Sequence, residues 1–182
     1  MESNSNYNFW NKNEHLKKFS FWLNLKNFYF NWLYGNFQEQ RYLIKCLNRE
    51  NKKQLSILDV GCATATTLRY LKNKKITNYN YTGVDISKVM INFWRKKYKN
   101  QNFFKIKLNK NLKLKLKKKF DVVYSRDTVM HQTDPLKFIK NLIDITEKYL
   151  ILRLRTRDVG KTEFNYKISC QKHYGNNWAP YI

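Results

Sequence analysis

The chain has 182 residues and a mass of 22.3 kDa, with 36 Lys and Arg against 13 Asp and Glu and a formal net charge of +23. That length suits one domain able to bury a real core, and 42% hydrophobic with 16% aromatic residues excludes a disordered basic tail. Five Gly and two Pro exclude collagen-like or linker-like character, and Cys46, Cys62 and Cys170 have no C-x-x-C spacing, which argues against a metal site or disulfide framework and for a reducing, cytoplasmic setting.

Residues 1–12 are Asn-rich and lack an apolar run, so no signal peptide is expected. Residues 19–34 are strongly aromatic, but Asn24, Lys26, Asn27 and Asn31 interrupt them well short of the ~18 apolar residues of a membrane span. Residues 1–50 read as a helical, aromatic-rich leader or lid, and residues 51–182 as the main domain. The last piece of the leader, residues 37–50, carries Tyr42, Leu43, Cys46 and Leu47 on one helical face.

The pattern then changes to alternating strands and helices. Residues 55–60, Leu-Ser-Ile-Leu-Asp-Val, read as a buried strand stopping at Gly61, and residues 66–75 as a helix with Leu68 and Leu71 inward. Residues 79–85 are a second strand, and Ser87 is an N-cap for a helix striped by Val89, Met90, Phe93 and Trp94. Residues 103–108 are a third strand and residues 120–125 a fourth. Asp134-Pro135 starts a helix with Leu136, Ile139, Leu142 and Ile143 on one face, and residues 149–154 are a fifth strand. Strands and helices alternating at this spacing imply a mostly parallel sheet covered on both faces.

The stretch 105–119, KIKLNKNLKLKLKKK, places leucines and lysines on alternate positions. It reads as a half-exposed sheet edge with a solvated lysine face, or more sharply as a track for an RNA backbone. The net charge has the same two readings. Phosphate neutralisation rewards Lys and Arg, but Lys outnumbers Arg by more than three to one and Asn is as overused as Lys. That is the output of an A/T-rich coding bias, so nucleic acid is not the favoured partner.

In a parallel α/β sheet, ligands sit beyond the carboxyl ends of the strands at the switch point. Three segments fall there. Asp59-Val-Gly61-Cys62-Ala63-Thr-Ala65 follows the first strand and leads into a helix, where small side chains permit close backbone approach. Gly83-Val-Asp85-Ile86 ends the second strand with a carboxylate able to accept ribose hydroxyls. Phe120-Asp-Val-Val-Tyr-Ser125-Arg126-Asp127-Thr-Val-Met-His131 ends the fourth.

In these segments the chain resembles the class I S-adenosylmethionine-dependent methyltransferases over roughly residues 55–156. Ile57-Leu58-Asp59-Val60-Gly61-Cys62-Ala63-Thr64-Ala65 follows the family's first motif with alanines at the second and third glycines. The resemblance implies a Rossmann-like three-layer sandwich and S-adenosylmethionine (SAM) as cofactor. It implies that Asp59, Gly61, Cys62 and Ala63 form the loop beside the methionine part, and that Asp85 binds the ribose. Ile86 is then expected on the adenine, Asn109 near its amino group, and Ser125 and Arg126 under the cofactor. Cys62 reads as a small packed residue rather than a nucleophile.

Methyl transfer from a sulfonium is an in-line displacement in which alignment does most of the work, and a base helps a hydroxyl acceptor. His131 is the first candidate base and Asp127 the second. The expected function is O-methylation of a small-molecule acceptor: a sugar, a lipid-linked compound or a secondary metabolite. The alternatives are an RNA methyltransferase, and a non-catalytic nucleotide binder of the same fold. The N-P-P-Y-type motif used on base amino groups is absent after the fourth strand, and a dehydrogenase G-x-G-x-x-G is absent after the first. The family usually adds a helix and a two-strand antiparallel unit after strand five, and only about 26 residues follow Thr156. A shortened sheet is therefore expected, with residues 164–182 giving at most one extra strand beside strand five.

Overall fold

The computed structural model describes residues 37–50, 53–107, 112–132, 134–154, 170–173 and 177–180. Most of the aromatic leader thus lies outside the described residues. Its last segment is helix α1, Gln38–Arg49, which buries Gln40, Leu43 and Leu47 at helical spacing and leaves Tyr42 half-exposed.

Five strands follow: β1 (Leu55–Val60), β2 (Tyr79–Asp85), β3 (Asn102–Lys105), β4 (Phe120–Arg126) and β5 (Thr146–Arg153). They form an all-parallel sheet in the order β3-β2-β1-β4-β5. The chain builds outward from β1 to β3, then crosses back to place β4 on the other side of β1. The switch point therefore lies between β1 and β4, where Val60 pairs with Ser125.

Helices cover both faces, as expected of a Rossmann-like sandwich. On one face α1, α2 (Thr66–Asn73) and α3 (Lys88–Lys97) pack on Ile57, Tyr81, Phe103 and Tyr124. On the other, α4 (Leu112–Leu116) and α5 (Pro135–Asp144) pack on Leu58, Val84 and Val123. Both faces being dry, β1 is an almost continuous apolar run rather than an alternating one. Ser87 caps α3 through Met90 N at 3.4 Å, and Asp134 caps α5 through Lys137 N at 2.9 Å. At the amino ends of the strands, Asp121 Oδ2 accepts from Ser56 N at 2.9 Å and from Ser56 Oγ at 2.7 Å, pinning β4 to β1.

Several expectations are corrected. β3 stops at Lys105, and residues 112–116 are helical rather than a sheet edge. Leu112 and Leu116 stand four apart, so a helical turn sends both toward the α5 side of the core, where Leu112 is fully buried. On α5 the buried face is Phe138 and Leu142, whereas Leu136 and Ile143 are 62% and 56% exposed. The larger Phe138 ring takes the inward position and rotates the face. β5 begins at Thr146, three residues before the expected start, with a register shift opposite Phe120 and Val122. Near the C-terminus β6 (Cys170–His173) and β7 (Asn177–Pro180) pair antiparallel in a sheet of their own, so that neither extends the main sheet beside β5. β5 remains an edge of the five-stranded sheet, and its residues 149–154 are all partly exposed.

Candidate functional site

Three segments meet at the carboxyl edge of β1, β2 and β4. After Val60 the chain turns through positive φ three times, at Gly61 (+77°), Ala63 (+35°) and Ala65 (+49°). The alanines thus keep a glycine-type backbone path, at a cost of roughly 1–2 kcal/mol each. Gly61 N and Cys62 N both donate to Val84 O, at 2.8 and 3.1 Å, which ties the loop to β2. Trp94 of α3, fully buried, donates Nε1 to Ala63 O at 2.8 Å. Two alanines at strained positions are therefore held by hydrogen bonds on either side.

Asp85 closes β2 and turns its carboxylate onto the same loop. Oδ2 accepts from Ala63 N at 2.9 Å, and Oδ1 accepts from Ser87 N at 2.8 Å. Burial pushes its pKa above the ordinary carboxylate value, opposed by the amides of Ser87, Ala63 and Ile86. A carboxylate offers about four acceptor sites, and the amides of Ala63, Ser87 and Ile86 take three of them. One acceptor site stays open to a ribose hydroxyl, and Asp85, Gly61 and Ala63 are the residues that would hold SAM. Ile86 follows Asp85 and is partly buried against the core on the α4 side.

Asp59 lies deeper, 3% exposed, and its Oδ2 accepts from Tyr81 Oη at 2.6 Å. Burial raises its pKa to about 6, even though hydrogen bonds from Tyr81 and Thr67 lower it. Thr67 sits at the start of α2, so Asp59 supports the loop from beneath. Cys62 is buried beside Gly83, where a Cβ would fall 2.9 Å from Cys62 Sγ and 2.9 Å from Phe103 Cδ1. Burial, with Asp85 and Asp59 nearby, pushes its thiol well above the usual range. A buried thiol pushed up in this way is a packing group and a poor nucleophile.

At the end of β4, Ser125 is fully buried and donates Oγ to Val60 O at 3.0 Å. Arg126 and Arg153 are register partners on β4 and β5, so two guanidiniums stand side by side. Glu39 of α1 bridges them, with Oε1 3.5 Å from Arg126 Nε and 3.6 Å from Arg153 Nη1. Asp127, at φ +53°, pairs with both, 3.6 Å from Arg126 Nε and 3.4 Å from Arg153 Nε. The Phe37 ring centroid lies 3.9 Å from the Arg126 guanidinium carbon. Arg126 and Asp127 thus belong to a knot that fastens the start of α1 to the strand ends. His131 closes a 3₁₀ turn, Val129–His131, partly exposed, with its backbone N donating to Thr128 O at 3.1 Å. Asn109 lies outside the described residues.

Glu39, Phe37, Arg153 and Thr128 were not legible as site residues. Thr128 packs against the bare face of Gly61 and donates Oγ1 to Val60 O at 3.2 Å. The matching Arg126 and Arg153 at the ends of two neighbouring strands were the available signal: two cations in register require an acid from elsewhere. A groove of about 660 Å³ runs between α1 and the outer edge of β5, from Cys46 to Arg153. It borders the arginine knot and does not include Asp85 or the loop after β1, so it is not where the ribose-type acceptors gather. Among the described residues, no three His, Cys, Asp or Glu come together to hold a metal ion. Among the same residues, no helix is long and apolar enough to cross a membrane.

A family model described as a methyltransferase domain matches residues 51–180. Among solved structures, a plantazolicin methyltransferase in complex with S-adenosylhomocysteine (SAH) is 19% identical with a TM-score of 0.57, covering 82% of this chain and 57% of that one. The magnesium protoporphyrin IX methyltransferase of Synechocystis PCC 6803 with bound SAM is 18% identical with a TM-score of 0.53, covering 78% and 74%. The CMeT domain of a citrinin polyketide synthase is 21% identical with a TM-score of 0.50, and this chain spans 31% of its length. At these identities the likeness is one of fold. No curated protein matches the sequence.

Proposed function

The chain belongs to the SAM-dependent methyltransferases of the methyltransferase-domain family, and on that premise we propose that it methylates a hydroxyl oxygen of a small molecule. The acceptor class is a sugar, a lipid-linked compound or a secondary metabolite. One observation carries this reading: the turn bearing His131 abuts the loop after β1 through Thr128, which touches Gly61 on one side and accepts from His131 N on the other. This proximity of His131 to the segment that would hold the cofactor supports its reading as the base.

Bound SAM supplies a methyl group on a sulfonium, activated for displacement. The chain's own residues do the rest. Asp85 would orient the ribose, Ile86 would border the adenine, and Gly61, Cys62 and Ala63 would keep the backbone close to the methionine part. Asp59 and Ser125 hold that edge in place from below. His131 takes the proton of the acceptor hydroxyl, and Asp127, held by Arg126 and Arg153, orients the acceptor. Cys46 and Cys62 are free thiols, in keeping with a reducing compartment such as the cytoplasm.

The test is transfer of a labelled methyl group from SAM to a panel of hydroxyl-bearing saccharides, lipid-linked saccharides and phenols, with total RNA as a parallel acceptor. The reading expects label on a small molecule, and His131→Ala lowering turnover by ~10²-fold or more with SAM binding intact. Label on RNA alone, or unchanged turnover in His131→Ala, contradicts it.

A further inference from the structure

We propose that the lysine-rich β3 edge of the sheet is a docking groove for single-stranded nucleic acid. Residues 86–120 contain 13 Lys and Arg and no Asp or Glu. This fifth of the chain holds more than a third of its 36 bases and none of its 13 acids. A coding bias toward lysine spreads the charge; here it is segregated. The fold then sets the described part of this stretch along one side of the molecule, because β3 is the edge strand, with α3 on one face beside it and α4 on the other.

A groove of about 430 Å³ opens on the α4 side of that edge, with Phe104, Ile106 and Phe120 in its floor and Lys105, Lys115 and Lys118 on its rim. Phe104 is 42% exposed, and the Arg95 guanidinium carbon lies 5.9 Å from its ring centroid. Lys119, outside the groove lining, pairs with Glu147 of β5 at 3.8 Å.

Cations along a groove, with an aromatic face open between them, match a polyanion that carries flat bases. The lysines neutralise phosphates and Phe104 stacks a base. Stacking requires an unpaired base, so the ligand is single-stranded. Lysines make point-charge contacts rather than the bidentate base contacts of arginine, so binding is sequence-tolerant. A membrane surface fits less well. Phe104 is the one large apolar side chain exposed at this edge among the described residues, and α4, five residues long, is too short for an amphipathic anchor. The proposal concerns binding and is independent of which molecule is methylated.

The experiment is fluorescence anisotropy of the full chain with labelled oligo(rU) and oligo(dT) of roughly a dozen nucleotides, from about 50 to 200 mM salt. The expected result is binding that weakens steeply with salt. Lys115→Glu with Lys118→Glu should weaken it tenfold or more, and Phe104→Ala about tenfold. Lys72→Glu with Lys74→Glu on α2 removes the same net charge elsewhere and should change it less than threefold. Tighter rU than dT assigns RNA, and equal binding assigns the shared phosphate and base chemistry; both support the proposal. It is overturned if no oligonucleotide binds at about 50 mM salt. It is also overturned if the α2 pair loses as much affinity as the groove pair, or if phosphatidylserine vesicles bind and oligonucleotides do not displace them. SAH titration of each variant reports the cofactor site separately.

Discussion

The side chain of Thr128 occupies the space a Cβ would need at Gly61. A methyl group there would lie 2.8 Å from Thr128 Cγ2 and 2.9 Å from its Cβ, on a residue whose φ is already +77°. Thr128 also bonds Val60 O and Arg126 O, at 3.2 and 3.1 Å, so it cannot simply swing aside.

Gly61→Ala is therefore expected to cost about 2–4 kcal/mol of stability, from left-handed strain and overpacking together. Thr128→Ala in the same chain removes the hydroxyl and the methyl but keeps the Cβ 2.9 Å away, so it should recover part of the overpacking and leave the strain. Chemical denaturation of the two single variants and the double variant reads this as a coupling of about 1 kcal/mol or more. Strictly additive losses would show that the two residues do not press on each other.

The alanines two and four residues further on give the opposite prediction. Ala63→Gly relieves a positive φ at a partly exposed position. It should stabilise the fold by about 0.5–1 kcal/mol, net of the extra freedom glycine gains when unfolded. Ala65 is fully buried, so Ala65→Gly also loses a packed methyl worth about 0.8 kcal/mol and should come out near neutral. Thermal melts separate them, with Ala63→Gly about 1–4 °C above the parent. Equal shifts for both would contradict the role given to the buried methyl.

Much of this architecture is legible in the sequence, because β1, β2 and β4 are short stretches rich in aliphatic and aromatic residues that end on Gly61, Asp85 and Arg126-Asp127. A strand buried on both faces announces itself, and the loop after it carries the chemistry. The stretch 105–119 is not legible in the same way. Its Lys-Leu alternation has the period of a strand, yet Leu112 and Leu116 also stand one helical turn apart, and the core on the α5 side decides between them. The arginine knot needed tertiary information, since Glu39 and Arg153 are far apart in sequence and only the parallel register places Arg126 beside Arg153. The charge of +23 is plain in composition, whereas its concentration along one edge follows from the order of α3, β3 and α4.

Asp59 predicts a pH dependence. Its pKa is about 6 in the fold against an ordinary value of 3.8. The folded state holds the proton more tightly than the unfolded chain, so the contribution of Asp59 to stability is fully present below pH ~4 and is lost as pH rises through ~6. The difference is worth at most about 3 kcal/mol. Asp59→Asn keeps an acceptor for Tyr81 and carries no charge. It should match the parent near pH 4 and exceed it by about 1–3 kcal/mol at pH 8, measured by urea denaturation at the two values. The Asp85 charge contributes to the raised pKa of Asp59, so removing the Asp59 charge also relieves this repulsion and adds to the gap at high pH. A gap that does not change with pH would place the Asp59 charge elsewhere than in this buried setting.

Isothermal titration of the full chain with SAH and with NAD tests whether the loop after β1 and Asp85 together form a SAM site. SAH is expected to bind and NAD is not. Asp85→Ala is expected to weaken SAH binding by ~2 kcal/mol or more, because the ribose loses a charged acceptor, while Asp85→Asn loses less. Binding of NAD in place of SAH, or an Asp85→Ala variant that binds SAH like the parent, would contradict a SAM site there.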